Sequence, residues 1–132
     1  MTFVLDACAL IAFLRDEDGA DVVESTLIDE ECIAHVVNLC EVYYDCLRRD
    51  NKNTADKLLE DLWVTGLVRR EDIDEKFWKS VGCIKADIGK VSLADSFAIA
   101  LAQRTDGIVL TSDHHEFDRI SDESVCDVKF IR

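Results

Sequence analysis

Four carboxylates stand in this chain where side chains could do chemistry. Asp6 ends the apolar run Phe-Val-Leu, and Glu41 follows a β-branched stretch at 32–37. Asp95 lies just inside an apolar helical segment, and Asp113 lies two residues beyond Thr111, the last residue of the run Ile-Val-Leu-Thr. Carboxylates crowded together raise one another's pKa and resist ionisation. A hard divalent cation with oxygen ligands makes the crowding tolerable. The four acids therefore predict a Mg²⁺ or Mn²⁺ site, where the cation lowers the pKa of water and orients it toward a phosphodiester.

The elements that would position them follow from hydrophobic spacing. Strands are expected at 2–6, 32–37, 67–70 and 108–111, with a last edge strand at 128–131. Helices are expected at 7–15, 19–28, 38–49, 54–64, 73–88 and 92–104. This alternation predicts an α/β three-layer sandwich: a mainly parallel central sheet with helices on both faces. Ligands of such sheets bind beyond the carboxyl ends of the strands, where Asp6, Glu41 and Asp113 fall. The helix bearing Asp95 precedes the 108–111 strand and packs antiparallel to it. It rises about 18 Å at ~1.5 Å per residue, which returns its start to the same edge.

Each acid also has a structural explanation. Asn38-x-x-Glu41 and Ser92-x-x-Asp95 both have the form of a capping box, in which the acid serves the helix start. Against that, the Asp95 helix is apolar nearly all round, with Leu93, Ala94, Phe97, Ala98 and Ile99 beside it. An acid in that company needs a partner. Asp6, at the end of a buried strand, is in the same position. Taken together, the four favour a metal site over coincidence.

The remaining features bound the reading. Lys and Arg total 15 against 28 Asp and Glu, a formal charge of −13. That balance opposes direct phosphate binding by the bare protein and suits a basic protein partner. A cation in the acidic cleft would still attract phosphate. The apolar run near the start is broken by Asp6, is too short to span a bilayer and has no cationic flank, so a cytoplasmic protein is expected, with no membrane partner. Six cysteines (8, 32, 40, 46, 83 and 126) form no C-x-x-C pair and are expected to be reduced and mostly buried. With no proline and five glycines, residues 1–132 are expected to form a single domain. Asp118 reads as a solvated loop acid or a further member of the site. His114 and His115 read as polar loop residues, and His35 as a satisfied structural histidine. Arg48 and Arg49, and Lys85 with Lys90, are modest basic clusters that contact RNA phosphates or are simply solvated.

The segments Val4-Leu-Asp6-Ala-Cys8, Asn38-Leu-Cys-Glu41, Leu93-Ala-Asp95-Ser-Phe97 and Leu110-Thr-Ser-Asp113 through Phe117 together resemble the PIN-domain nucleases. Within these they resemble the VapC-like toxins of prokaryotic toxin–antitoxin pairs. The resemblance spans essentially the whole chain. It implies a Mg²⁺- or Mn²⁺-dependent endoribonuclease, a homodimer, and a basic antitoxin that blocks the acidic pocket. Carried over residue by residue, Asp6, Glu41, Asp95 and Asp113 would be the metal-binding, catalytic acids, and Thr111 the hydroxyl supporting the last of them. Family members carry serine or threonine two residues after the first aspartate. Here that position is Cys8, a weaker hydrogen-bonding group. The alternative is a PIN fold of low or no catalytic power that serves as a metal-binding or protein-interaction module. A receiver-like signalling domain fits less well, since Asp6 is followed by Ala7 and no lysine follows the late strand at 108–111.

Overall fold

The computed structural model describes all 132 residues. In chain order the elements are β1 (Thr2–Leu5), α1 (Ala7–Leu14), α2 (Ala20–Asp29), β2 (Glu31–His35), α3 (Val36–Arg49), α4 (Lys52–Val64), β3 (Val68–Arg70), α5 (Glu75–Ile88), α6 (Leu93–Thr105), β4 (Ile108–Thr111), α7 (His114–Asp122) and β5 (Asp127–Phe130). The five strands form one sheet in the order β3-β2-β1-β4-β5, and every pairing is parallel. The registers Val4↔Ile33 and Val4↔Val109 put the carboxyl ends of the three central strands along one edge.

Side chains alternate across the sheet and divide the interior into two cores. Phe3, Leu5, Cys32, Ala34 and Leu110 pack on one face, against α1, α2, α3 and α4. Val4, Ile33 and Val109 point to the other face, against α5, α6 and α7. Strands buried on both faces read as continuous apolar runs, which is why β1 and β4 are so plain in the sequence. The three-layer α/β sandwich expected from the sequence is the fold observed.

Differences appear at element ends. The stretch expected as strand 32–37 stops at His35, and Val36 and Val37 open α3 instead. His35 closes β2 and caps α3: its Nδ1 accepts the Val37 amide at 3.1 Å. Two β-branched residues pass for strand in one dimension, yet the cap turns them into a helix start. A larger difference is α7, a helix where the sequence alone suggests a loop. Only Phe117 and Ile120 of α7 are buried, too few apolar positions to show a period. Cysteines also differ from expectation. All six are free, but only Cys32 and Cys46 are buried, while Cys40 and Cys83 are exposed. No helix is long and apolar enough to cross a membrane.

Candidate metal centre

The site is assembled from element termini. Asp6 leaves β1 and caps α1, its Oδ1 accepting the Ala9 amide at 2.9 Å. Its Oδ2 accepts the hydroxyl of Thr111, the last residue of β4, and that hydroxyl in turn accepts the Asp113 amide at 3.0 Å. Asp6 and Thr111 are 1% and 0% exposed, so this chain of bonds is internal. It ties two adjacent strand ends together and sets the backbone of Asp113. Asp113 caps α7, its Oδ1 accepting the Glu116 amide at 3.0 Å. Asp95 sits in the first turn of α6, where its amide bonds to the Ser92 hydroxyl at 3.0 Å. The serine half of the cap read at Ser92-x-x-Asp95 is therefore present, while the Ser92 amide bonds to Glu116 rather than to Asp95.

The cap read at Asn38-x-x-Glu41 is absent. With α3 starting at Val36, Asn38 is a fully buried residue inside the helix. Glu41 falls in the second turn, exposed to solvent. It thus lies one turn farther along α3 than the sequence suggests.

Carboxylate oxygens of Asp95, Asp113 and Glu116 lie within 4.8 Å of one another. Glu116 was absent from the expected set. One signal could have found it, because Asp113-x-x-Glu116 repeats the cap pattern already noted at two other helices. Its Oε2 also accepts the Ser92 amide at 3.1 Å, joining the start of α7 to the start of α6.

Asp6 and Glu41 lie near enough to this trio for their charges to act on it. Burial, and then the charges of Asp113 and Glu41, push the Asp6 carboxyl up to about 7 despite its bonds to Thr111 and Ala9. Burial and the charge of Asp6, with lesser contributions from Glu116 and Glu41, bring Asp95 up to about 7 as well. Glu41 is raised by partial burial and by Glu116. Cys8, half-buried in α1, is the hub. Burial comes first, then the charges of Asp6, Asp113, Asp95 and Glu41, and its thiol is pushed up to about 12. The thiol is therefore protonated at neutral pH, and the charges of all four acids expected from the sequence act on it. None of these acids, nor Glu116, makes an ion pair with Lys or Arg.

Other candidates stand elsewhere. Asp118 is exposed on α7 and bonds His114 Nδ1 at 2.7 Å, while His114 Nε2 meets the Arg132 carbonyl at 2.8 Å. The His114 ring stacks on Phe130 with centroids 3.9 Å apart. Asp118 and His114 thus fasten the C-terminus to α7, as helix residues rather than loop residues. His35 is a satisfied structural histidine: its Nε2 bonds the Asp72 carbonyl at 2.8 Å and its ring stacks on Phe77. Arg48 and Arg49 both pair with Asp45, at 2.8 and 3.1 Å. Lys85 donates to the Val91 carbonyl at 2.6 Å. Those three cations are engaged within the fold, and of the four Lys90, exposed in the segment before α6, is the one whose side chain has no hydrogen bond or ion pair.

The chemistry of the donor set fits a hard divalent cation. Three carboxylates from two helix starts converge within one coordination sphere, all donors but Cys8 are oxygens, and no cationic side chain neutralises them.

The PIN domain family model matches residues 3–123. No curated protein sequence matches the chain. Among solved structures, VapBC2 from Rickettsia felis bound to a promoter DNA fragment superposes with a TM-score of 0.76 at 15% identity, covering 98% of each chain. VapBC-1 from nontypeable Haemophilus influenzae gives 0.74 at 16% identity, over 99% of this chain and 98% of that one. VapC20 of Mycobacterium tuberculosis, described as a toxin that cleaves the sarcin-ricin loop, gives 0.65 at 12% identity, over 85% and 90%. At such identities the superpositions speak for the fold alone, and it is the family match over most of the chain, with acids at the expected strand and helix ends, that makes this protein a member of the PIN-domain family.

Proposed function

We propose that the chain is a Mg²⁺- or Mn²⁺-dependent endoribonuclease and the toxin half of a toxin–antitoxin pair. The observation that carries this reading is the acidic cluster: carboxylate oxygens of Asp95, Asp113 and Glu116 within 4.8 Å of one another, near enough to Asp6 and Glu41 for their charges to act on Asp95, and without an ion pair to Lys or Arg. Membership of the PIN family supports nuclease chemistry. The described activity of the VapC20 neighbour supports RNA as substrate, and the VapBC complexes support an antitoxin partner. A net charge of −13 suits a basic antitoxin, and the homodimer implied by the resemblance belongs to the same proposal.

Asp95, Asp113 and Glu116 would hold the ion, with Glu41 reaching in from α3. A bound divalent ion supplies Lewis acidity toward the phosphoryl oxygen and activates water at neutral pH. The remaining work falls to the protein. The Asp6–Thr111–Asp113 chain fixes the Asp113 carboxylate relative to β1 and β4, and Ser92 holds the Asp95 turn. Asp6 and Asp95, both raised to about 7, keep part of their protons at neutral pH, and an entering cation would displace what remains. Lys90, exposed just before α6, supplies a positive charge for the RNA backbone beside an otherwise repulsive surface.

Cleavage of a labelled RNA oligonucleotide in Mn²⁺ tests this. Asp6→Asn and Asp95→Asn are expected to abolish turnover while the fold is retained. Undiminished cleavage by both variants would overturn it. A second reading is favoured by Cys8, a thiol where the family carries a hydroxyl: a PIN fold that binds the ion without turnover. Mn²⁺ binding by the wild type with no cleavage of any RNA would support that reading instead.

A further inference from the structure

Asn38 is the buried polar residue that the proposed machinery leaves unused. It is 0% exposed. Its Nδ2 donates to the Ala94 carbonyl at 3.0 Å, a contact across 56 positions of sequence. Its Oδ1 has no hydrogen-bond partner. The orientation of the amide follows from Ala94, because turning it over would set two carbonyl oxygens against each other.

Judged as a structural joint, this arrangement is poor. A buried carbonyl without a donor costs about 1–3 kcal/mol, whereas a leucine, branched alike with the same number of side-chain heavy atoms, carries no polar atom to leave unpaired. Ala94 gains little, since a first-turn helix carbonyl already accepts an intrahelical bond. What the contact does achieve is placement. Asn38 lies one helical turn before Glu41 on α3, and Ala94 adjoins Asp95 on α6. The two helices belong to different cores on opposite faces of the sheet. Glu41 stands outside the close trio of Asp95, Asp113 and Glu116, on an exposed stretch of α3. Among the side-chain hydrogen bonds, the one from Asn38 to Ala94 alone joins α3 to α6.

We propose that Asn38 is a positioning residue: by anchoring α3 to the Ala94 carbonyl it sets the reach of Glu41 to the ion held by Asp95. This rests on the reading of the pocket as a divalent-cation centre. A residue kept for placement at a cost in stability has a signature that a merely structural residue lacks. Its removal raises or preserves stability and weakens the site.

The test is Mn²⁺ titration calorimetry, well below the melting temperature, on wild type, Asn38→Leu, Asn38→Ala and Asn38→Ser, with thermal unfolding in chelator alongside. Asn38→Leu is expected to unfold no lower than wild type yet to bind Mn²⁺ about tenfold more weakly, the scale of effect when a group that orients metal ligands is lost. Asn38→Ala should show the same weakening whatever its stability. Asn38→Ser keeps a hydroxyl that can donate to Ala94 and is expected to recover most of the affinity. Leu and Ala variants that bind Mn²⁺ with wild-type affinity would overturn the role of Asn38 and leave the cation centre standing. A wild type that takes up no Mn²⁺ would overturn both.

Discussion

The two ends of α6 treat aspartate in opposite ways. At its C-terminal end, Arg104 grips Asp74 through two bonds of 2.7 and 2.8 Å and reaches Asp72 at 3.0 Å, while Arg70 clasps Asp72 at 2.8 and 2.9 Å. The Arg70 guanidinium beside Asp72, with Arg104 behind it, holds that carboxyl below its usual value, and Arg104 does the same for Asp74. At the N-terminal end, Asp95 and its neighbours have no guanidinium, and burial pushes Asp95 and Asp6 up to about 7. One helix thus joins a charge-balanced cluster to an unbalanced one. Bidentate arginine is the means by which this fold neutralises an acid it needs for structure. At the other end no arginine plays that part.

The largest expected effect comes from neutralising the unbalanced end. Asp6→Asn or Asp95→Asn should remove cleavage altogether and, in chelator at pH 7, raise stability by about 1–3 kcal/mol, since a carboxyl with a raised pKa destabilises the fold once it ionises. The direction with pH follows from the same shifts. Between the ordinary value of 3.8 and about 7, the folded protein holds protons on Asp6 and Asp95 that the unfolded chain has released. Metal-free stability is therefore fully supported by this pair below about pH 4 and declines as pH rises through 7. Chemical denaturation at pH 5 and pH 8 should show that decline in wild type and a flatter profile in the double Asn variant. Equal slopes would break the contrast between the two ends.

Removing a cation from the balanced end should act on the fold alone. Arg104→Ala strips Asp74 of its partner and leaves Asp72 with Arg70 only, so the melting temperature should fall modestly, the pair being screened by solvent. Mn²⁺ affinity should stay where it was, and a large change there would mean the two clusters are not separate. A smaller effect is expected at Glu116→Gln. Glutamine still offers an oxygen to the Ser92 amide, so stability in chelator should hold. Loss of the charge should weaken Mn²⁺ binding about tenfold. An unchanged affinity would return Glu116 to the status of a helix cap.

Much of this was legible in the residues. β1 and β4 announce themselves because strands buried on both faces have no polar alternation, and Asp6, Asp95 and Asp113 are conspicuous as acids at the limits of apolar segments. The helix bearing Asp95 was bounded by a serine cap that the structure retains. Less legible was anything set by three-dimensional packing. A histidine cap at His35, which needs the Asp72 carbonyl and the Phe77 ring to hold it, moved the start of α3 and turned Asn38 from a cap into a buried bridge. With only two buried residues, α7 carries too little periodicity to be seen, and Glu116 went unseen with it. The basic clusters show a related limit: charge is visible in one dimension, but the pairing of Arg48 and Arg49 with Asp45 is not.

The central claim is that the N-terminal end of α6 is negatively charged in order to receive a divalent cation. Thermal unfolding with and without Mn²⁺, for wild type and Asp95→Asn at pH 7, tests it most directly. A melting temperature that rises by several degrees with Mn²⁺ in wild type and scarcely moves in the variant is the predicted result. No rise in wild type, or an equal rise in both, would contradict it.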